Sequence, residues 1–114
     1  MKFVHLTIRS SKKDETVAFY QKYCGLKIRR ELGEMITFLS DEEDATCLEV
    51  IGDQEHTVKT EGLSVGFAVK DAAVYREEIK AQGLAVTEMI SPHPGVEFFF
   101  TKDPNGIDVQ FISQ

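Results

Sequence analysis

The chain opens on an alternation of apolar and polar positions. In KFVHLTI, residues 2–8, Val4, Leu6 and Ile8 are β-formers at every second position, which predicts a strand that buries one face and turns Phe3, His5 and Thr7 to the other. The period then lengthens. Ser11 is placed to cap a helix over about 12–24, with Asp14 three residues on and Val17, Tyr20 and Cys24 along one face, and Gly25 is the expected left-handed stop. Three strands follow, over 27–32, 35–40 (MITFLS) and 45–51 (ATCLEVI), the last two separated by the acidic loop DEED. The second half repeats this order: a strand at 63–69, a helix near 72–82 capped by Asp71 with Ala72, Tyr75 and Ile79 inward, and strands near 84–89, 96–101 and 107–113. Asp103-Pro104-Asn105-Gly106 suits a tight hairpin turn, because proline fixes one φ and Asn-Gly tolerates positive φ. Between the halves, GDQEHTVKTEG is polar and bounded by glycine, and reads as a linker.

Matching landmarks in the two halves lie a nearly constant distance apart. Gly25 and Gly83, His5 and Ser64, and Glu49 and Gln110 are separated by 58, 59 and 61 residues. A shared period over a strand, a helix end and a late strand argues for a duplicated unit. The expected architecture is α+β: tandem βαβββ modules over about 1–52 and 62–114, with a linker over about 53–61, in one domain.

Composition narrows the partners. A chain of 114 residues, 42% of them hydrophobic, can bury a core of its own. Thirteen basic against nineteen acidic residues give a net charge of −6 with no long run of Lys and Arg, so nucleic acid and anionic membrane are poor partners. No apolar stretch approaches a membrane span, and the charged SSKKDE after the first strand is unlike a signal peptide, so a cytoplasmic location is expected. Cys24 and Cys47 fit no metal spacing and read as reduced thiols.

Strand parity then decides which side chains share a face. In LSVGFAV, Leu63, Val65, Phe67 and Val69 form a face that a helix can cover, leaving the small Ser64, Gly66 and Ala68 opposite. In TCLEVI the uncovered set is Cys47, Glu49 and Ile51; in IDVQFI it is Asp108, Gln110 and Ile112. A lone histidine in a strand is more often a hydrogen-bonded structural residue than a ligand. His5 gains interest because Glu49, Ser64, Asp108 and Gln110 also sit opposite a helix-covered face. Phe38, Phe98, Phe99, Phe100 and Phe111 lie on strands that could line a cavity, although core packing is the plainer account for most of them. His93, between two prolines, reads as a surface-loop residue, and His56 falls in the linker. Cys47 shares the face of Glu49, but sequence places no histidine beside it, which favours an inert thiol over a nucleophile.

The βαβββ duplication, FYQKYCGL in the first helix, LEVI ending the first half, GLSVGFAVKD opening the second and FFFTKDPNGIDVQFI closing the chain resemble the vicinal oxygen chelate superfamily. That group includes glyoxalase I, extradiol dioxygenases and bleomycin-binding proteins. The resemblance implies a curved, partly closed mixed sheet with helices on its outer face, and a homodimer, swapped or unswapped. It also implies metal ligands on the first and last strands of each half, at His5, Glu49, Ser64 and Gln110. Ser64 stands where histidine is usual and Gln110 where glutamate is usual. Two readings follow. The first is a binder of a small organic molecule with a degenerate metal site, its pocket drawn from Ser64, Asp108, Cys47 and Phe99. The second is a lyase or isomerase of glyoxalase type, with one divalent metal (Zn, Ni, Mn or Fe) on His5, Glu49 and Gln110, and Glu49 as the catalytic carboxylate; there Asp108 is a candidate to replace what Gln110 cannot supply.

Overall fold

The N-terminal alternation forms β1 (His5–Ser10), in which the even-numbered side chains are the more buried. Regular pairing begins three residues later than the apolar pattern suggests. Residues 2–4 already run beside 44–47, but largely through side chains: Lys2 Nζ donates to the Asp44 carbonyl and Thr46 Oγ1 to the Phe3 carbonyl. Helix α1 (Lys13–Cys24) starts from Ser10 rather than Ser11. The buried Ser10 Oγ accepts from the Lys12 N–H at 2.9 Å and lies 3.3 Å from Thr16 Oγ1, whose hydroxyl donates to the Lys12 carbonyl. This small polar knot lets the chain turn into the helix without the side-chain cap expected of Ser11. At the other end Gly25, at φ 68°, returns its N–H to the Tyr20 carbonyl as a left-handed stop.

Strands β2 (Lys27–Leu32), β3 (Ile36–Ser40) and β4 (Cys47–Gly52) complete a four-stranded sheet in the order β1-β4-β3-β2. β1 and β4 are parallel; the other two ladders are antiparallel, and that between β2 and β3 shifts register between Ile28 and Arg30. Helix α1 covers one face, where Ile8, Leu39, Leu48 and Val50 pack with Val17, Phe19 and Tyr20. Cys24 is only half-buried.

The second unit has the same plan: β5 (Ser64–Val69), α2 (Ala72–Ala81), β6 (Ile90–His93), β7 (Val96–Lys102) and β8 (Asp108–Ser113), in the order β5-β8-β7-β6 with β5 and β8 parallel. Asp71 caps α2 as expected, its Oδ1 accepting from the Val74 N–H at 3.1 Å. Ala72 and Ile79 are fully buried with Phe99, Val109 and Phe111, and the Tyr75 ring meets Phe111 at 5.0 Å. One expected strand is corrected: residues 84–89 are not a strand. They lie along β7 through one backbone bond, from the Thr87 N–H to the Phe100 carbonyl, and through two hydroxyls, Thr101 Oγ1 donating to the Ala85 carbonyl and the Phe100 N–H to Thr87 Oγ1. The strand forms only at Ile90, so His93 ends β6, opposite Val96, instead of lying in a loop.

The turn between β7 and β8 is held by Asp103. Its Oδ1 accepts from the backbone N–H groups of Asn105 and Ile107, and its carbonyl accepts from the Gly106 N–H. Gly106 alone in this turn takes positive φ, at 84°.

The computed structural model describes residues 1–114, and the chain divides into units Met1–Lys59 and Thr60–Gln114. Much of the stretch read as a linker therefore belongs to the first unit: the Asp53 N–H bonds to the Ser10 carbonyl and the Val58 N–H to the Arg9 carbonyl. No helix is long and apolar enough to cross a membrane.

Candidate functional site

Within the first unit, the face turned away from α1 carries His5 and Thr7 from β1, Phe38 from β3, and Cys47 and Glu49 from β4. The ladders set them in rows, with Thr7, Glu49 and Phe38 level and His5 level with Cys47. His5 Nε2 lies 3.6 Å from Glu49 Oε1, and Thr7 Oγ1 donates to the same oxygen at 2.5 Å. Glu49 is 13% exposed against 42% for His5, so the carboxylate is the sheltered member of the pair. A carboxylate that accepts a hydroxyl proton at this distance forms a charge-assisted hydrogen bond, which fixes its orientation. The His5 ring meets Phe38 edge-on, with centroids 6.0 Å apart.

Two features of this face escaped the sequence. Cys47 is directly opposite His5 in the parallel ladder, a neighbour that chain position alone concealed; its thiol lies 3.5 Å from the Ala45 carbonyl. Arg30 sets its guanidinium 4.4 Å from the centroid of the Phe38 ring. Period-two reading cannot place Arg30, because the register shift between Ile28 and Arg30 breaks the parity of β2. Thr7 shares the parity of His5 and lies on this face as expected, and the structure adds its hydrogen bond to Glu49.

In the second unit, the face away from α2 carries Ser64, Gly66 and Ala68, then Asp108, Gln110 and Ile112, then Phe98 and Phe100. The ladders place Ser64 opposite Asp108, Gly66 opposite Gln110, and Gln110 opposite Phe100. Asp108 does not stand ready to replace a missing carboxylate, because its Oδ1 is paired with Lys102 Nζ at 2.7 Å. Phe99 is corrected as a pocket residue. It is fully buried on the helix side, its ring 5.4 Å from that of Phe111, while Phe98 and Phe100 occupy the open face.

Beside β1, Asp53 pairs with Arg9 and His56 at 3.4 and 3.3 Å. The backbone N–H of His56, then that of Glu55, stabilise the Asp53 carboxylate and hold its pKa below the ordinary range.

The donor chemistry suits a resident divalent metal only in part. His5 and Glu49 are good ligands, but the matching positions 64 and 110 offer a neutral hydroxyl and an amide, and no group of three or more His, Cys, Asp and Glu side chains is placed to hold an ion.

Two mixed four-stranded sheets, each covered on one face by a helix and joined by a repeat of the same topology, define a recognised group of proteins. The chain belongs to the glyoxalase/bleomycin resistance protein/dioxygenase superfamily, whose model matches residues 2–111. A lactoylglutathione lyase of Neisseria meningitidis is 29% identical over 130 residues, spanning 100% of this chain and 91% of that protein. A lactoylglutathione lyase of Haemophilus influenzae is 25% identical over 126 residues, spanning 98% and 92%. Among solved structures, the trypanothione-dependent glyoxalase I of Leishmania major matches with a TM-score of 0.79 at 20% identity, covering 99% of this chain and 86% of that one. Lactoylglutathione lyase from Agrobacterium tumefaciens matches with a TM-score of 0.76 at 17% identity, covering 98% and 92%. At these identities the structural likeness speaks for the fold.

Proposed function

We propose that the chain binds a small organic molecule on the open sheet face around His5, Glu49 and Cys47, without a resident metal, as a superfamily member whose metal site has degenerated. Ser64, Asp108 and Gln110 form the corresponding polar face of the second unit, a second recognition surface on this reading. The observation that carries this reading is the chemistry at Ser64 and Gln110, where a hydroxyl and an amide replace ionisable donors while the nearby Asp108 is engaged by Lys102. His5 and Glu49 are then a polar pair for orienting a ligand. The reading includes a homodimer, swapped or unswapped, in the cytoplasm.

Elemental analysis of the purified protein, then titration of wild type and His5→Ala with Ni, Zn, Mn and Fe(II), tests it. The expected result is no stoichiometric metal and no difference between the two proteins. Metal that binds one-to-one and is lost in His5→Ala overturns the reading. Thermal stabilisation across a set of planar apolar compounds supplies the positive test, and a set without a single hit counts against a binder.

A second reading has support in the names of the Neisseria and Haemophilus relatives and in the contact of His5 with Glu49. It is a lyase in which Glu49 is catalytic and His5, Glu49 and Gln110 hold one divalent ion. It is checked by assaying formation or breakdown of lactoylglutathione by thioester absorbance with added Ni or Zn. Turnover that Glu49→Gln abolishes would establish it.

A further inference from the structure

A cavity of about 580 Å³ opens on the first unit beside His5, within the size range of small-molecule sites. Three cations line it, Lys2, Arg29 and Arg30, in a chain whose net charge is −6. None takes part in an ion pair of this protein. Lys2 Nζ donates to the backbone carbonyl of Asp44 at 2.8 Å, and Arg29 donates to Ser40 Oγ and the Asp41 carbonyl at 3.2 and 2.8 Å, all of them neutral acceptors. Arg30 is held only through its charge over the Phe38 ring. That contact leaves the N–H edge of the guanidinium available while restricting where it points, so part of the entropy cost of presenting a fork to a ligand is already met.

Resting on the proposed binding function, we infer that this cavity selects apolar monocarboxylates, with Arg30 as the residue that recognises the carboxylate. The paired N–H groups of a guanidinium match the two oxygens of a carboxylate, and such charge-assisted pairs are roughly twice as strong as neutral hydrogen bonds. The body of the ligand would meet Val4, Ala45 and Cys47. Glu43 and Asp44 also line the cavity, so three cations face two carboxylates. That balance accommodates one added negative charge and disfavours polyanions such as phosphate esters.

The test compares 2-naphthoate, cinnamate and indole-3-acetate with their primary amides, which have nearly the same shape and no charge, by titration calorimetry against wild type, Arg30→Gln and Arg30→Lys. The wild type should bind at least one acid on the order of tenfold more tightly than its amide, a preference that falls with added salt. Arg30→Gln should bring acid and amide to equal affinity, with Arg30→Lys between. Because Arg30 is exposed, an unchanged melting temperature verifies that the variants fold. Equal binding of acid and amide by wild type, or an equal loss of both in Arg30→Gln, overturns the inference while leaving a binding function standing. Absence of binding by every acid and amide ends both.

Discussion

The sharpest consequence of the strand parity lies in the three successive phenylalanines of β7. Phe99 has no exposed surface and packs against Phe111 at 5.4 Å, and Phe111 in turn touches Tyr75 at 5.0 Å and Phe67 at 6.1 Å. Phe99→Ala therefore removes a ring from the middle of an aromatic cluster. Lost transfer of a buried Phe is about 1.5–3 kcal/mol, and the ring-on-ring term adds about 0.5–1.5 kcal/mol. With the cavity left behind, the expected cost is about 3–5 kcal/mol. Phe100→Ala acts on the opposite face, where the half-exposed ring meets Phe98 edge-on at 5.7 Å. Its cost should be about 1 kcal/mol. Urea unfolding followed by far-UV circular dichroism measures both, since the chain has no tryptophan to report by fluorescence. Equal costs at the two positions, or less than about 1 kcal/mol for Phe99→Ala, would show that β7 presents the other set of side chains to the helix.

Further outcomes follow from the same geometry. Gly106→Ala forces a side chain into φ 84° and should destabilise the protein by about 1–2 kcal/mol, again by urea unfolding. The Asp53 carboxyl has a folded pKa below its unfolded value, so it contributes stability above the ordinary carboxylate range and loses that contribution as the pH falls through the folded value. The melting temperatures of wild type and Asp53→Ala should accordingly differ at neutral pH and converge in acid; a gap that stays constant would refute the assignment.

The parity of β1, β4, β5 and β8 was legible because each strand is half-covered: Ile8, Leu48 and Val50, and Val109 and Phe111, are buried while their neighbours are less so. Alternation carries that information directly. It failed where something other than burial governs the backbone. The run FFF has no alternation to read, so sequence leaves open which of its rings faces the helix, and Phe99 proves to be the buried one. Residues 84–89 have a strand's composition, yet a single backbone bond from Thr87 to Phe100 is flanked by the hydroxyl bonds of Thr87 and Thr101, too few backbone bonds for a regular ladder. The place of Arg30 is hidden by a register shift, and the adjacency of Cys47 to His5 by a parallel pairing between residues 42 apart in the chain, neither of which leaves a local signature.

The duplicated topology also lets the open faces of the two units be compared position by position. Equivalent ladder positions pair His5 with Ser64, Thr7 with Gly66, Cys47 with Asp108, Glu49 with Gln110 and Phe38 with Phe100. In the first unit Thr7 donates to the Glu49 carboxylate. Its twin Gly66 has no side chain to donate, and its partner is an amide with no negative charge to stabilise. A Cβ at Gly66 would lie 3.2 Å from Gln110 Oε1, so the glycine gives that amide its room. The two replacements depend on each other: Thr at position 66 would crowd Gln110, and Glu at position 110 beside Gly66 would lack the hydroxyl that steadies Glu49. Restoring the carboxylate alone therefore rebuilds a weaker arrangement than the first unit has, and Gly66→Thr together with Gln110→Glu is the smallest change that copies the Thr7–Glu49 pair.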